Sequence, residues 1–248
     1  RRQRQMCIRD SLRKEDGRLL RRYRDGEALI SGTLEDYAYL VAGLLDLYEA
    51  NFESQWLREA LQLTDAMTEL FGDKADGGFF SNRADETELA VSIKDAYDGP
   101  IPSGNSVAAQ NLLRLAALTD NEELKKRTEA LFRAFRATLE QSPLEHTQML
   151  CAVEFSLSNP AQIVLASHGR EEEHEAFAAE IGYHFLPNTV VAFSQPEGVT
   201  ETELPELRPL ISGKVAIEGK PTAYVCEDYT CKAPITDLEE LKRVLSRE

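Results

Sequence analysis

From Thr33 onward, apolar residues recur every three or four positions. They fall at Tyr37, Leu40, Val41, Leu44, Leu45 and Tyr48, and then, past a short connection bearing Asn51, at Leu57, Ala60, Leu61, Thr64, Met67 and Phe71. A period of 3.6 gathers each set onto one helical stripe. Two such helices joined by so few residues must lie antiparallel. Thr33 supplies the first N-cap, and Asp36 stands three residues on, where a capping-box acid belongs. The same period returns from about Asn105 to Leu118, through Ala109, Leu112, Leu113 and Ala116. It returns again from about Glu122 to Leu139, through Leu124, Leu131, Phe132 and Phe135. A further helix is predicted to open at Ser142-Pro143, since proline suits the first helical position, and to end before Asn159-Pro160.

Other stretches break this rhythm. Gly17 to Gly32 reads as an extended entry segment that turns at Asp25-Gly26. Asp76-Gly77-Gly78 followed by Phe79-Phe80 predicts a tight turn and a short strand. Beyond Pro160, the β-rich runs Ile163–Ala166 and Thr189–Phe193 flank a charged helix, Glu171 to Ile181, which predicts a βαβ unit and a small parallel sheet. Tyr224-Val225 adds a strand, and Leu238 to Leu245 forms a last amphipathic helix. The chain divides accordingly into a non-native or disordered lead (1–14), a helical portion (15–159) and a small α/β region (160–248). The fold class is mainly α.

Composition narrows the function classes. Of 248 residues, 42% are hydrophobic and 8% aromatic, enough for a core. No apolar run reaches the ~20 residues of a membrane helix. A net charge of −15 repels nucleic acid and anionic lipid. Residues 1–24 run the other way, with ten Lys or Arg against three Asp or Glu. Residue 1 is Arg, so the chain is expected to begin inside a longer reading frame. Four cysteines are too few for a disulfide framework at this length, and the expectation is reduced thiols in a cytoplasmic protein. Cys226 and Cys231 have four residues between them, whereas a thioredoxin-type pair has two and a structural zinc needs two further ligands. Structural thiols, paired or unpaired, rank first for them, a regulatory disulfide second and metal last. His184 is not required by any spacing. His174 reads as solvated, His146 as facing core or cavity, and His168 as a weak phosphate candidate. No metal site or cofactor is called for.

The densest cluster of special residues is Asp98-Gly-Pro-Ile-Pro-Ser-Gly-Asn-Ser106. Two prolines and two glycines fix an unusual backbone, and Ser103 or Asn105 can cap the next helix. Thr33-Leu-Glu-Asp-Tyr-Ala38, Leu47-Tyr48-Glu49, Gly77-Gly-Phe-Phe80, Pro102-Ser-Gly-Asn-Ser106, Ala223-Tyr-Val-Cys-Glu227 and Cys231-Lys-Ala-Pro-Ile-Thr236 follow in order. In that order they resemble the C-terminal part of the spermatogenesis-associated protein 20 family of thioredoxin-domain-containing proteins.

The resemblance implies an N-terminal thioredoxin-like domain followed by a six-hairpin (α/α)6 toroid, of the kind found in glycosidases and sugar epimerases. This chain would hold only part of that toroid, with the α/β segment after it, and the thioredoxin-like domain becomes its expected partner. A sugar-active or sugar-binding role follows, with a small sugar as ligand. If it is an enzyme, a carboxylate-based isomerase, epimerase or glycoside hydrolase would use Asp36, Asp95 or Asp98 as acid and base. Tyr37 would stack on the sugar, while Ser103 and Asn105 would orient its hydroxyls. Local readings compete: Asp98 precedes Gly, as turn residues do, Asp36 and Ser103 suit caps, and Tyr37 suits a core. The alternative function is a non-catalytic scaffold or client-binding toroid serving the thioredoxin-like domain.

Overall fold

The computed structural model describes residues 12–14, 17–83, 93–168, 171–195, 204–227 and 230–246. The expected lead segment lies almost wholly outside these. The entry segment is a hairpin of β1 (Leu20–Arg24) and β2 (Glu27–Ser31). Its turn residues Asp25 and Gly26 both have positive φ, the two-residue geometry that matches strand twist. Leu19, just before it, is buried in the core.

Two helical hairpins follow, α1 (Leu34–Asn51) with α2 (Ser54–Phe71), and α3 (Gly104–Thr119) with α4 (Glu122–Gln141). Each of α1, α2 and α4 is buried along one stripe, as the periodicity predicts, except that Leu40, placed on the α1 stripe, is exposed and Ala38 is buried instead. In α2 the stripe takes Leu63 in place of Leu61. Helix α3 is buried all round except at Gln110 and Arg114, because it packs against α1, α4 and the next helix, α5 (Thr147–Leu157). Its polar residues survive there by bonding backbone. Asn111 Nδ2 donates to Ala38 O at 2.7 Å, and Thr119 Oγ1 to Leu115 O at 2.7 Å.

Two predicted elements change form. The strand expected at Phe79-Phe80 is a single bridge between Gly72 and Phe79. The helix expected at Ser142-Pro143 is a 3-10 turn, Pro143–Glu145, and α5 begins only at Thr147. Ser142 and His146 have non-helical backbones that separate the two.

The sheet has the order β4-β3-β5-β6, from β3 (Ala161–Ala166), β4 (Thr189–Ser194), β5 (Thr222–Glu227) and β6 (Thr230–Cys231). β3 and β4 are parallel and joined through α6 (Glu171–Tyr183), as the βαβ pattern requires, whereas β5 runs antiparallel to β3. Pro205–Leu207 and the short α7 (Arg208–Ile211) lead into β5, and α8 (Leu238–Leu245) closes the described chain. Alternation splits the strands between two cores. Ile163, Leu165, Ala223 and Val225 pack under α6 and α8 with Phe177, Ile181, Leu241 and Leu245. Val164, Ala166, Val190, Ala192 and Tyr224 join the helical hairpins in the main core. Being covered on both faces, the sheet needs continuous apolar runs rather than alternating ones. The chain is thus mainly α with an α/β part, and its apolar core crosses residue 160 without a break. No described helix is long and apolar enough to cross a membrane.

Candidate functional site

The residues before α3 form a loop whose backbone is tied down from several sides. Asn105, wholly buried, accepts from Phe79 N through Oδ1 at 2.9 Å. Its Nδ2 donates to Phe79 O and to Asp95 O, both at 2.9 Å. One amide therefore imitates a strand partner for Phe79 and grips the loop as well. Ser103 is the N-cap of α3, its Oγ accepting from Ser106 N at 3.1 Å. Asp98 bridges two elements. Its Oδ1 accepts from Ser103 N at 2.9 Å and its Oδ2 from Met149 N at 3.0 Å. Met149 lies in the first turn of α5, so Asp98 supplies from 51 positions away the anionic cap that this helix lacks locally. Asp95 stays exposed, accepting from Tyr97 N at 2.9 Å through one oxygen.

Asp36 and Tyr37 lie at the start of α1. Asp36 accepts from Thr33 N at 2.8 Å, the capping-box contact, and pairs with Arg21 at 3.4 Å. Tyr37 is buried, its hydroxyl accepting from Leu19 N at 2.8 Å and its ring meeting Phe71 edge-on at 5.3 Å. Of the six residues singled out in the sequence, Asp95, Asp98, Ser103 and Asn105 come together in one loop. Asp95 alone among the six is exposed.

The periodicity placed two further aromatics nowhere, yet both meet this loop. Tyr39, on the outer face of α1, donates its hydroxyl to Pro102 O at 2.9 Å. Partial burial pushes its phenol upward, and the nearby Asp98 and Glu35 carboxylates add to the shift. Tyr97 lies over Gly99: a Cβ built on Gly99 would stand 2.8 Å from the Tyr97 ring. The two rings stand at opposite ends of Gly99–Pro102, 38% and 54% exposed, with Ile101 69% exposed between them. A proline-fixed loop with flanking aromatics was the available signal for Tyr97. Tyr39 had none, since its position falls outside the apolar stripe.

Elsewhere among the described residues lie hollows of which two are well formed, and none of the six residues lines either of these. One, of about 690 Å³, lies between the C-terminal end of α1, α6 and β4 and includes Glu49, His184 and Thr189. Arg114 reaches Glu49 at 2.9 Å and Asp46 at 2.8 Å. Burial nonetheless raises the Glu49 carboxyl above its ordinary range, with Arg114 opposing. The other hollow, of about 210 Å³, separates α3–α5 from the sheet and reaches Cys226. Cys226 and Cys231, whose pairing the sequence left open, are bonded to each other in register across β5 and β6, against the general expectation of reduced thiols. His174, expected to be solvated, packs its ring against Phe193 at 4.7 Å. His146 is buried, with Nδ1 2.8 Å from Ser142 O.

Over 215 residues, 86% of its length, the chain is 37% identical to spermatogenesis-associated protein 20 of Homo sapiens and covers 27% of that protein. It belongs to the spermatogenesis-associated protein 20 family. The Mus musculus member is 35% identical over the same span. A Caenorhabditis elegans relative, named as an uncharacterized protein, is 27% identical over 223 residues, or 90% of this chain and 30% of its own length. The chain spans about a quarter of the family proteins it matches. No protein-family model matches it.

Proposed function

We propose that this part of the spermatogenesis-associated protein 20 family is a carbohydrate-binding module whose ligand lies across the Asp95–Ser103 loop, at the rim of a six-hairpin toroid formed with the rest of the family protein. The observation that carries this reading is the placement of two exposed tyrosine rings, one tied to Pro102 O and one over Gly99, along a single tied-down loop bordered by carboxylates. Sugar C–H faces pack on aromatic rings, while sugar hydroxyls seek groups such as the carboxylates of Asp95 and Glu35. A Tyr39 ring already tied to Pro102 O loses little freedom on binding, which favours affinity.

The same geometry favours binding over turnover. Asp98 uses one oxygen on Ser103 N and the other on Met149 N, and Asp36 serves a cap and an ion pair. A general acid or base must be within reach of the substrate proton it moves. Asp95 is the exposed carboxylate of the three, so it orients a ligand without an evident catalytic partner. In the longer family protein the module would present its sugar ligand beside the thioredoxin-like domain.

Thermal-shift screening with free and phosphorylated saccharides at millimolar concentration tests the reading, followed by calorimetry on Tyr97→Ala. We expect at least one saccharide class to raise the melting temperature. Tyr97→Ala should weaken it roughly tenfold, the loss of about 1.4 kcal/mol of stacking, while leaving the unliganded melting temperature within about 2 °C. No stabilisation by any saccharide, or undiminished affinity in Tyr97→Ala, would sink it.

A further inference from the structure

Cys226 and Cys231 face each other across the β5–β6 hairpin, five positions apart in the chain. The hairpin is held without their bond. Lys232 N donates to Val225 O at 2.8 Å, and Ala223 and Ile235 exchange backbone hydrogen bonds of 2.8 and 2.9 Å. On its other side β5 is paired along most of its length with β3. A cross-link closing so short a loop also removes less chain entropy than one closing a long loop. Structural necessity therefore explains little of the disulfide.

The environments of its two sulfurs differ sharply. Cys226 is 4% exposed, sits in the main core and borders the cleft that also holds Lys125, Phe155, Pro160 and Gln162. Cys231 is exposed on β6, a two-residue strand at the open edge of the sheet. One end of the bond is open to an incoming nucleophile and the other is screened. We propose that Cys226–Cys231 is a thiol–disulfide exchange site, addressed by a dithiol reductant that enters at Cys231.

The chemistry balances in two steps. A thiolate of the dithiol attacks Cys231 Sγ and forms a new S–S bond. The Cys226–Cys231 bond breaks, and Cys226 leaves with the electron pair and takes a proton from water. The reductant's second thiol, deprotonated, then attacks its own sulfur in the mixed disulfide, and Cys231 leaves as a thiolate and is protonated. The reductant becomes a disulfide and the protein pair a dithiol, a transfer of two electrons. Access at Cys231 sets which sulfur is attacked. Reduction leaves the backbone pairing of β5 and β6 in place and puts a thiol at the mouth of the cleft.

The test uses the chain carrying Cys7→Ser and Cys151→Ser, so that the pair are its only cysteines. The oxidised protein is incubated in native buffer with dithiothreitol, and free thiols are counted by maleimide mass shift while circular dichroism follows folding. In parallel, brief exposure to glutathione followed by acid quench and peptide mapping locates the first adduct. We expect two thiols to appear with the helical signal unchanged, the glutathione adduct to map to Cys231, and oxidised glutathione to restore the bond. Reduction only after unfolding in urea, or a first adduct on Cys226, overturns the proposal. A purified pair that stays reduced in oxidised glutathione overturns it as well. If the double variant fails to fold, the wild-type chain with its free cysteines alkylated beforehand gives the same readouts.

Discussion

Replacing Asn105 with Ala should be among the costliest single changes in the helical body, and the structure gives a scale. The side chain is wholly buried and makes three hydrogen bonds, two with Phe79 and one with Asp95 O. Alanine strands the Phe79 N–H and C=O in a buried setting, each at about 1–3 kcal/mol. The Asp95 carbonyl belongs to an exposed residue and recovers its partner from water at little cost. The total comes to about 2–6 kcal/mol. That is a large share of the ~5–15 kcal/mol by which domains are stable. At ~2–4 °C per kcal/mol for a chain of this size, the melting temperature should fall by roughly 4–24 °C. Urea titration followed by Trp56 fluorescence and circular dichroism would measure it. Ser103→Ala, which removes an ordinary N-cap, should cost only about 1 kcal/mol and serves as the internal reference. If Asn105→Ala matched Ser103→Ala, water would be satisfying Phe79, and the idea of a loop locked by one amide would fail.

Three further outcomes follow from specific contacts. Gly104→Ala places a Cβ 2.8 Å from Leu34 Cγ and 3.2 Å from Glu35 N, so α1 must move away from α3; denaturant titration should show a loss of about 1–3 kcal/mol from overpacking. Because burial raises the Glu49 carboxyl in the folded chain, the native state holds its proton to higher pH than the unfolded chain does. Wild-type stability should therefore fall relative to Glu49→Gln as pH rises from about 4.5 through the raised folded value, and melting temperatures from pH 4 to 7 would show the two curves converging or crossing. Asp73 behaves in the opposite sense: hydrogen bonding to Lys94 and to the Ala75 and Asp76 amides lowers it to about 2. Its contribution should be complete above about pH 4 and disappear towards pH 2, seen as a shrinking advantage over Asp73→Asn in acid urea titrations.

The helices were legible because their packing is stripe on stripe. Leu57, Ala60, Met67 and Phe71 repeat at the spacing of a single buried face, and the structure buries them together. The turn at Asp25-Gly26 and the Thr33–Asp36 cap were equally plain, since both are settled within four residues. Helix α3 marks the limit. Asn105, Ser106 and Asn111 are polar yet fully buried, because their partners come from elsewhere in the chain or from the next turn. The same limit hid the role of Asp98, which reads locally as a turn residue and acts as the cap of α5. The disulfide depended on the register between β5 and β6, which puts Cys226 opposite Cys231, a pairing that spacing alone left open among several. Tyr39 escaped notice because an aromatic outside the apolar stripe has no periodicity to announce it.

The sheet that lends Val164, Ala166, Val190 and Ala192 to the same core as the helical hairpins carries a consequence for any attempt to divide the chain. Phe52, just past α1, stacks on Phe193 of β4 at 5.1 Å, and the side-chain amide Nε2 of Gln162 in β3 donates to Ala117 O of α3 at 2.8 Å. A backbone cut between Asn159 and Pro160 would leave each product with one wall of a shared interior and water against the other. Such halves are complements rather than modules: co-expressed, they would rebuild the molecule as a two-chain assembly, and expressed singly, each would be the other's missing interior.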